Sequence, residues 1–198
     1  MDPQPIIITG QHVRLEPIGQ QHAESLYEFG QEEDIWRYLT GGPFTSLEHT
    51  REWVDMCMGR NSRGERVQFA VMHLGDDRAI GSTGYSDIDR PNRAVEIGMT
   101  WYGAPYRRTA VNTECKYLLM RHAFEDHDAL RVCLKTDHRN ERSQRAIQRI
   151  GGVQEGVLRN HRIARDGVNR HSVYFSIIDS EWPDVKERLE GMMRRSGA

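Results

Sequence analysis

Cysteine is scarce in this 198-residue chain: Cys57, Cys115 and Cys133 stand far apart and form no C-x-x-C pair. That excludes a disulfide framework or a cysteine-built zinc site and predicts reduced thiols in a cytosolic protein. Charge of one sign is missing too. With 27 Lys and Arg against 29 Asp and Glu, the formal net charge is −2, without the basic surplus of a nucleic-acid binder. No apolar run approaches the length that crosses a bilayer. The opening "MDPQPIIITG" has no basic region and only three consecutive apolar residues, so it predicts no signal peptide. The nine histidines give no metal signature; His122 and His127 are five apart, and i, i+4 ligands would share a helix face where these are predicted not to. The phosphate loop G-x-x-x-x-G-K-[ST] is absent, which removes the common nucleotide hydrolases. What these absences leave is a cytoplasmic globular protein, one domain over 1–198, long enough to bury a full core. Nucleic acid, membrane and metal are not expected as partners.

The elements are legible from periodicity. "HVRLEPI" (12–18) alternates and predicts a strand, and 19–31 has a helical rhythm through Ala23, Leu26 and Tyr27. Gly41, Gly42 and Pro43 break the chain. Ser46 is placed to cap a helix carrying Trp53, Val54 and Cys57 on one face. "RVQFAVMHL" and "IGSTGYSDI" form a hairpin across "GDDRA", and "RAVEIGMTWY" (93–102) reads as a third strand. A helix over 110–127, a strand at 130–136, a helix over 141–150 and strands at 152–164 and 170–178 follow. A last helix starts near Ser180 with Pro183 in its first turn. Antiparallel strands first and a β-α-β-α-β stretch after them predict a mixed α/β (α+β) domain.

Two stretches carry chemistry. "PYRRTAVNTE" (105–114) lies between a strand and a helix. A helix start leaves backbone N–H groups unpaired and favours an anion. Thr109, Ala110, Val111, Asn112 and Thr113 would present those groups, with Arg107 and Arg108 adding charge suited to phosphate. The local alternative is an arginine-flanked helix start on the surface. In "KTDHRNERSQRAIQRIGGVQEGVLR" (135–159), Asn140 sits where a helix begins and Ser143 three residues on. Read locally, Asn140 is an N-cap, Ala146, Ile147 and Ile150 form the buried face, and Gly151 and Gly152 stop the helix.

Taken together, the two stretches are more specific than either. The chain resembles the GNAT superfamily of acetyl-CoA-dependent N-acetyltransferases, and more narrowly the branch of the ribosomal-protein N-terminal (alanine/serine) acetyltransferases. The likeness runs from "VRLEPI" through "NTECKYLLMRHAFE", "RVCLKTDHRNERSQRAIQRIGG" and "EGVLRNH" to "YFSIIDSEWPDVKERL". The resemblance implies a GNAT fold: a mostly antiparallel central mixed sheet with a splayed strand pair, flanked by helices. It implies acetyl-CoA as co-substrate, held by a loop of pattern R/Q-x-x-G-x-G/A. Arg107 matches that pattern, but Ala110 and Asn112 replace both glycines. Alanine is tolerable if its φ stays negative, and asparagine can donate to phosphate. Met99, Thr100 and Trp101 are assigned backbone contacts to the pantetheine arm, with an N–H for the oxyanion. Asn140 and Ser143 fall near the pantetheine and the sulfur, where Ser143 can serve the departing thiolate.

The attacking amine must be neutral, and Glu96 is the first candidate for a general base, directly or through a water. On the other reading it is a charged residue on a polar strand face. His161 is the second candidate, because the strand after "EG" carries Arg159, His161 and Arg162 where related enzymes place an acid. Glu114 and Glu155 are assigned structural work. Trp36, Tyr38 and Phe44 flank the "LTGGPF" loop, which in this fold would border the acceptor cleft; packing beneath the loop is the favoured reading, gripping a substrate the alternative. The leading acceptor is a protein α-amino group. A small amine such as a polyamine, an antibiotic or a peptide, or a silent acyl-CoA-binding module, are the alternatives. A homodimer is left open.

Overall fold

Alternation along each strand decides which side chains enter the core, and one sheet organises the molecule. The computed structural model describes residues 1–39 and 41–196. Its strands are β1 (Ile8–Thr9), β2 (Val13–Pro17), β3 (Val67–His73), β4 (Arg78–Asp89), β5 (Ala94–Tyr102), β6 (Arg131–Asp137), β7 (Val153–Ile163) and β8 (Asn169–Ile178). In space they run β1-β2-β3-β4-β5-β6-β8-β7. Every neighbouring pair is antiparallel except β5 and β6. The helices are α1 (Ala23–Phe29), α2 (Glu33–Trp36), α3 (Leu47–Ser62), α4 (Val111–Arg121), α5 (Glu141–Arg149) and α6 (Trp182–Ser196). The mixed, mostly antiparallel sheet between helical layers is the predicted architecture. The short β1 and the single turn of α2 are additions.

The two sheet faces bury different material. Val95 and Ile97 of β5, Val132 and Leu134 of β6, and Val173 and Phe175 of β8 meet Leu118 and Leu119 of α4, Ile147 of α5 and Leu189 of α6. Each such side chain contributes roughly 2 kcal/mol of transfer free energy. On the opposite face, Leu26 of α1 and Val54 and Cys57 of α3 pack with Trp36, Phe44 and Trp101. Trp36 and Phe44 therefore pack as expected, and Trp36 Nε1 donates to Gly30 O at 2.7 Å. Thr40 of the loop between them lies outside the described residues.

Caps end the helices where the sequence places them. Ser46 Oγ accepts from His49 N at 3.1 Å at the start of α3. Gly151, at φ +105°, carries the chain out of α5. The helix expected over 110–127 ends differently: α4 stops at Arg121, and His122–Asp126 continue as a π-helical turn. Wider i→i+5 winding brings residues five apart onto one side. His122 and His127 thus meet at 3.2 Å between their Nε2 atoms, correcting the expectation that they occupy different faces.

Candidate active site

The parallel pairing of β5 with β6 covers only Ala94–Arg131, Val95–Val132 and Glu96–Cys133. Beyond Glu96 the strands diverge, and β5 keeps backbone groups on that side without a ladder partner. Two residues, Met99 and Thr100, oppose Thr83 between the pairs Gly84–Gly98 and Ser82–Trp101. This is a bulge, with Met99 in the left-handed region at φ 54°. Nothing in "EIGMTWY" announces it, since methionine is not a residue that favours positive φ. The divergence opens a cleft of about 930 Å³.

At one end of the cleft α4 begins. Ala110 has φ −63° and ψ −22°, and Asn112 lies inside the helix, so neither position needs glycine. The left-handed residue of the loop is Arg108, at φ 63°. Thr109 Oγ1 accepts from Val111 N at 3.3 Å, and the remaining first-turn amides have no acceptor within the helix. Arg107 is turned aside: its Nε donates to Tyr102 O at 3.1 Å and its guanidinium pairs with Asp34 and Glu32. Arg149 donates to Thr113 Oγ1 at 3.1 Å, holding α5 against the start of α4. Asn140 caps α5, its Oδ1 accepting from Ser143 N at 3.1 Å, so the local reading of that pair holds while both residues also line the cleft.

Further along the cleft is Glu96, 7% exposed. Alternation puts Val95 and Ile97 into the α4-side core and Glu96 on the other face. Its Oε2 is 2.5 Å from Lys135 Nζ, which also reaches Asp87 at 2.9 Å, and Ser86 Oγ donates to it at 3.3 Å. Burial pushes the Glu96 carboxyl above its ordinary value, against the pull of Lys135. Burial works to lower the Lys135 pKa, but Glu96 and Asp87 outweigh it and hold the ammonium high. A Cβ on Gly98 would stand 2.9 Å from Glu96 Oε1, so a larger residue there would displace the carboxylate from its present position.

A residue the sequence reading passed over faces the same cleft. Lys116 of α4, 6% exposed, donates from Nζ to Thr100 Oγ1 at 2.8 Å and has no carboxylate partner among the described residues. Thr100 Oγ1 is in turn 2.8 Å from Thr83 Oγ1. Burial pushes the Lys116 pKa down to about 8. In sequence it looks like any polar helix position; only the direction in which α4 presents it reveals it.

The cleft thus gathers Met99, Thr100, Trp101, Arg107, Arg108, Thr109, Ala110, Asn112, Thr113, Asn140 and Ser143 with Glu96. It does not gather two others. The Val111 side chain enters the core. His161 Nδ1 is 3.0 Å from Ser172 Oγ on the β7–β8 hairpin, outside the cleft lining; burial and then Arg162 lower its pKa. Tyr38, unlike Trp36, lines the cleft, with its hydroxyl donating to Arg139 O at 3.3 Å. Glu114 and Glu155 have structural roles: Glu114 accepts from the amides of Gln11, His12 and Val13, and Glu155 pairs with Arg131 and accepts from Ser176. Trp101 Nε1 is buried and without a hydrogen-bond partner among the described residues.

Comparison with known proteins agrees with this geometry. Residues 12–153 match the family described as the acetyltransferase (GNAT) domain. The chain belongs to the GNAT acetyltransferase family. Among relatives, the ribosomal-protein-serine acetyltransferase of Escherichia coli strain K12 is 24% identical over 88% of this chain and 98% of its own length. A GCN5-related N-acetyltransferase structure from Brucella melitensis is 28% identical, with a TM-score of 0.91 over 98% of this chain and 87% of that one. The ribosomal-protein-S5-alanine acetyltransferase of Vibrio fischeri shares the fold at a TM-score of 0.73 and 17% identity, over 89% of this chain and 98% of that one. No helix among the described residues is long and apolar enough to cross a membrane.

Proposed function

We propose that the protein transfers acetyl from acetyl-CoA to a primary amine by direct attack, and that the acceptor is a protein N-terminal α-amino group. The observation that carries the reading is the end of β5–β6 pairing at Glu96 and Cys133. It leaves a strand edge between an anion-favouring helix start and a buried carboxylate. The donor set suits the co-substrate: α4 amides with Arg108 and Arg142 for phosphates, and free β5 backbone groups for an amide-bearing arm. Bound acetyl-CoA supplies an activated acetyl thioester.

The chain's residues do the rest. Glu96 accepts the proton of the incoming ammonium, a role its raised pKa suits at neutral pH. The bulged β5 backbone offers N–H groups to the oxygen that gains charge during attack. Ser143 donates to the departing thiolate, a modest demand for a thiol of pKa about 8.5. His161 has no part in this scheme, because it does not line the cleft. The E. coli relative, named for acetylating a ribosomal protein, supports the protein N-terminus as acceptor.

Calorimetric titration with acetyl-CoA and CoA, followed by thiol release with a panel of peptides and small amines, tests the proposal. Binding followed by turnover that falls in Glu96→Gln and Ser143→Ala is expected. No cofactor binding at millimolar concentration rejects it. Binding without turnover on any amine points to a silent acyl-CoA-binding module, and turnover confined to small amines moves the acceptor class.

A further inference from the structure

The cleft of a chain with net charge −2 is lined by nine Lys and Arg side chains against three acids. Part of that surplus is spoken for. Arg108 and Arg142 stand at the starts of α4 and α5, Arg149 at the end of α5 donates to Thr113, Lys116 donates to Thr100, Arg107 is paired with Asp34 and Glu32, and Lys135 is paired with Glu96 and Asp87. Arg66, Arg162 and Arg170 remain, and none of the three has a carboxylate partner among the described residues.

Strand parity puts all three on the Glu96 face, away from α4. On β8, Val173, Phe175 and Ile177 enter the α4-side core, so Ser172, Tyr174 and Arg170 project oppositely. Tyr174 pairs with Lys135 across the β6–β8 ladder, and Lys135 is the partner of Glu96. Arg162 of β7 stands directly opposite Arg170 of β8 and shares its face. At the other side, Arg66 precedes Val67, whose side chain enters the α4-side core, and Val67 pairs with Tyr85, next to the Ser86 that contacts Glu96. Arg66 Nη1 lies 3.3 Å from Met99 Sδ at the bulge.

Like charges placed directly opposite on a sheet destabilise it. Arg162 and Arg170 are such a pair, and what holds Arg170 is neutral: Ser172 Oγ at 3.1 Å and Tyr38 O at 3.2 Å. Burial lowers the Arg170 pKa, with Arg162 adding to this and Asp137 opposing it. An anion between the two guanidinium groups would relieve that repulsion, and their planar forks fit a carboxylate or a phosphate.

We infer that Arg162 and Arg170, with Arg66 across the cleft, form an acceptor subsite for an acid group, so that the preferred acceptor is a primary amine bearing a carboxylate or phosphate near the nitrogen. The inference rests on the transferase reading of the cleft and deepens it. A free amino acid and a peptide with an acidic first residue share this chemistry. Polyamines and aminoglycosides, rich in positive charge, are the poorest candidates.

The test uses matched pairs of acceptors with the whole protein. Glycine is set against glycinamide, 2-aminoethyl phosphate against ethanolamine, and amidated Asp-Ala-Ala against amidated Asn-Ala-Ala. The acid member of a pair should win in kcat/KM by about tenfold or more, the usual scale of a hydrogen bond to a charged group. In Arg162→Gln and Arg170→Gln that ratio should fall toward one, while Arg162→Lys keeps part of it. The winning pair tells free amino acid from phosphate or peptide. Equal use of both members in all pairs, or a preference that survives both glutamine variants, overturns the subsite. Calorimetry of the same amines on the CoA-bound protein, with thermal melts to verify folding, separates the two claims. Acid amines that bind, and lose binding in the variants, without ever being acetylated would leave the subsite standing and reject the transferase reading. Normal acetyl-CoA binding and acetylation of amines with no preference for acid ones would do the reverse.

Discussion

Two lysines with little solvent exposure line one cleft, Lys135 on strand β6 and Lys116 on helix α4, and their surroundings have opposite effects. On the β6 wall, Lys135 lies between Glu96 and Asp87, and the pairing holds its ammonium above the ordinary value. On the α4 wall, Lys116 donates to the Thr100 hydroxyl and has no carboxylate partner among the described residues, and burial drives its pKa down to about 8. Residue type is the same, but Lys116 lies deeper and of the two only Lys135 has carboxylates beside it, and together these move the two pKa values in opposite directions. The β6 wall is a compensated cluster that holds a carboxylate in readiness. The α4 wall holds a cation whose burial is not compensated, a local cost of the kind that gathers at working sites.

The sharpest way to break this comparison is to remove the carboxylate. Glu96→Gln should lower kcat/KM by about 10² to 10⁴ for a lost general base. The acid limb of the pH–rate profile should flatten with it. In the wild type that limb should lie above the ordinary carboxylate range, because the Glu96 pKa is raised. Lys135→Met attacks the same wall from the other side. Breaking a buried pair by removing one partner costs about 3 kcal/mol at pH 8, measurable by urea unfolding. A lone Glu96 would have a still higher folded pKa, so it binds its proton more tightly folded than unfolded. Stability is then present below the unfolded pKa and lost as pH rises through the folded one. The deficit should therefore grow from pH 5 to pH 8.

Lys116→Met should act in the opposite direction. A folded pKa of about 8 against 10.5 corresponds to about 3 kcal/mol of penalty at neutral pH. The lost hydrogen bond to Thr100 returns about 1 kcal/mol of that. The variant should thus be about 2 kcal/mol more stable at pH 7. Between about pH 8 and 10.5 the unfolded state holds a proton that the folded Lys116 has released. Wild-type stability rises there and the gap closes. A variant less stable at pH 7 would count against an uncompensated cation. Smallest of all should be Ala110→Gly. It is the N-cap of α4 with a negative φ, so glycine gains no needed conformation and stability should move by less than about 1 kcal/mol. Acetyl-CoA affinity by calorimetry should change by less than about threefold, within 0.7 kcal/mol.

Local rules made much of this molecule legible in its sequence. Ser46 and Asn140 cap the helices they precede, and the strands follow alternation to within a few residues. The helix start at Ala110 carries negative φ, the condition under which alanine can stand in for glycine there, while the left-handed position of the loop falls on Arg108. What escaped reading depends on geometry between distant segments. The bulge at Met99 and Thr100 is set by how β4 and β5 register, not by a favoured residue type. The Arg162–Arg170 pairing exists only because the β7–β8 hairpin slips between Leu158 and Arg162. The π-helical turn places His122 against His127 although nothing in their spacing suggests it.

The sheet's single parallel seam also has a mechanical meaning. Five strands stand on one side of it and three on the other, and only three residue pairs join them. A ligand arm laid in the gap, as proposed for the co-substrate, would act as a splint, completing the missing rungs between 97–102 and 134–137. Amides on both rims should then slow together in hydrogen exchange when the gap is filled, although the rims belong to different halves of the chain.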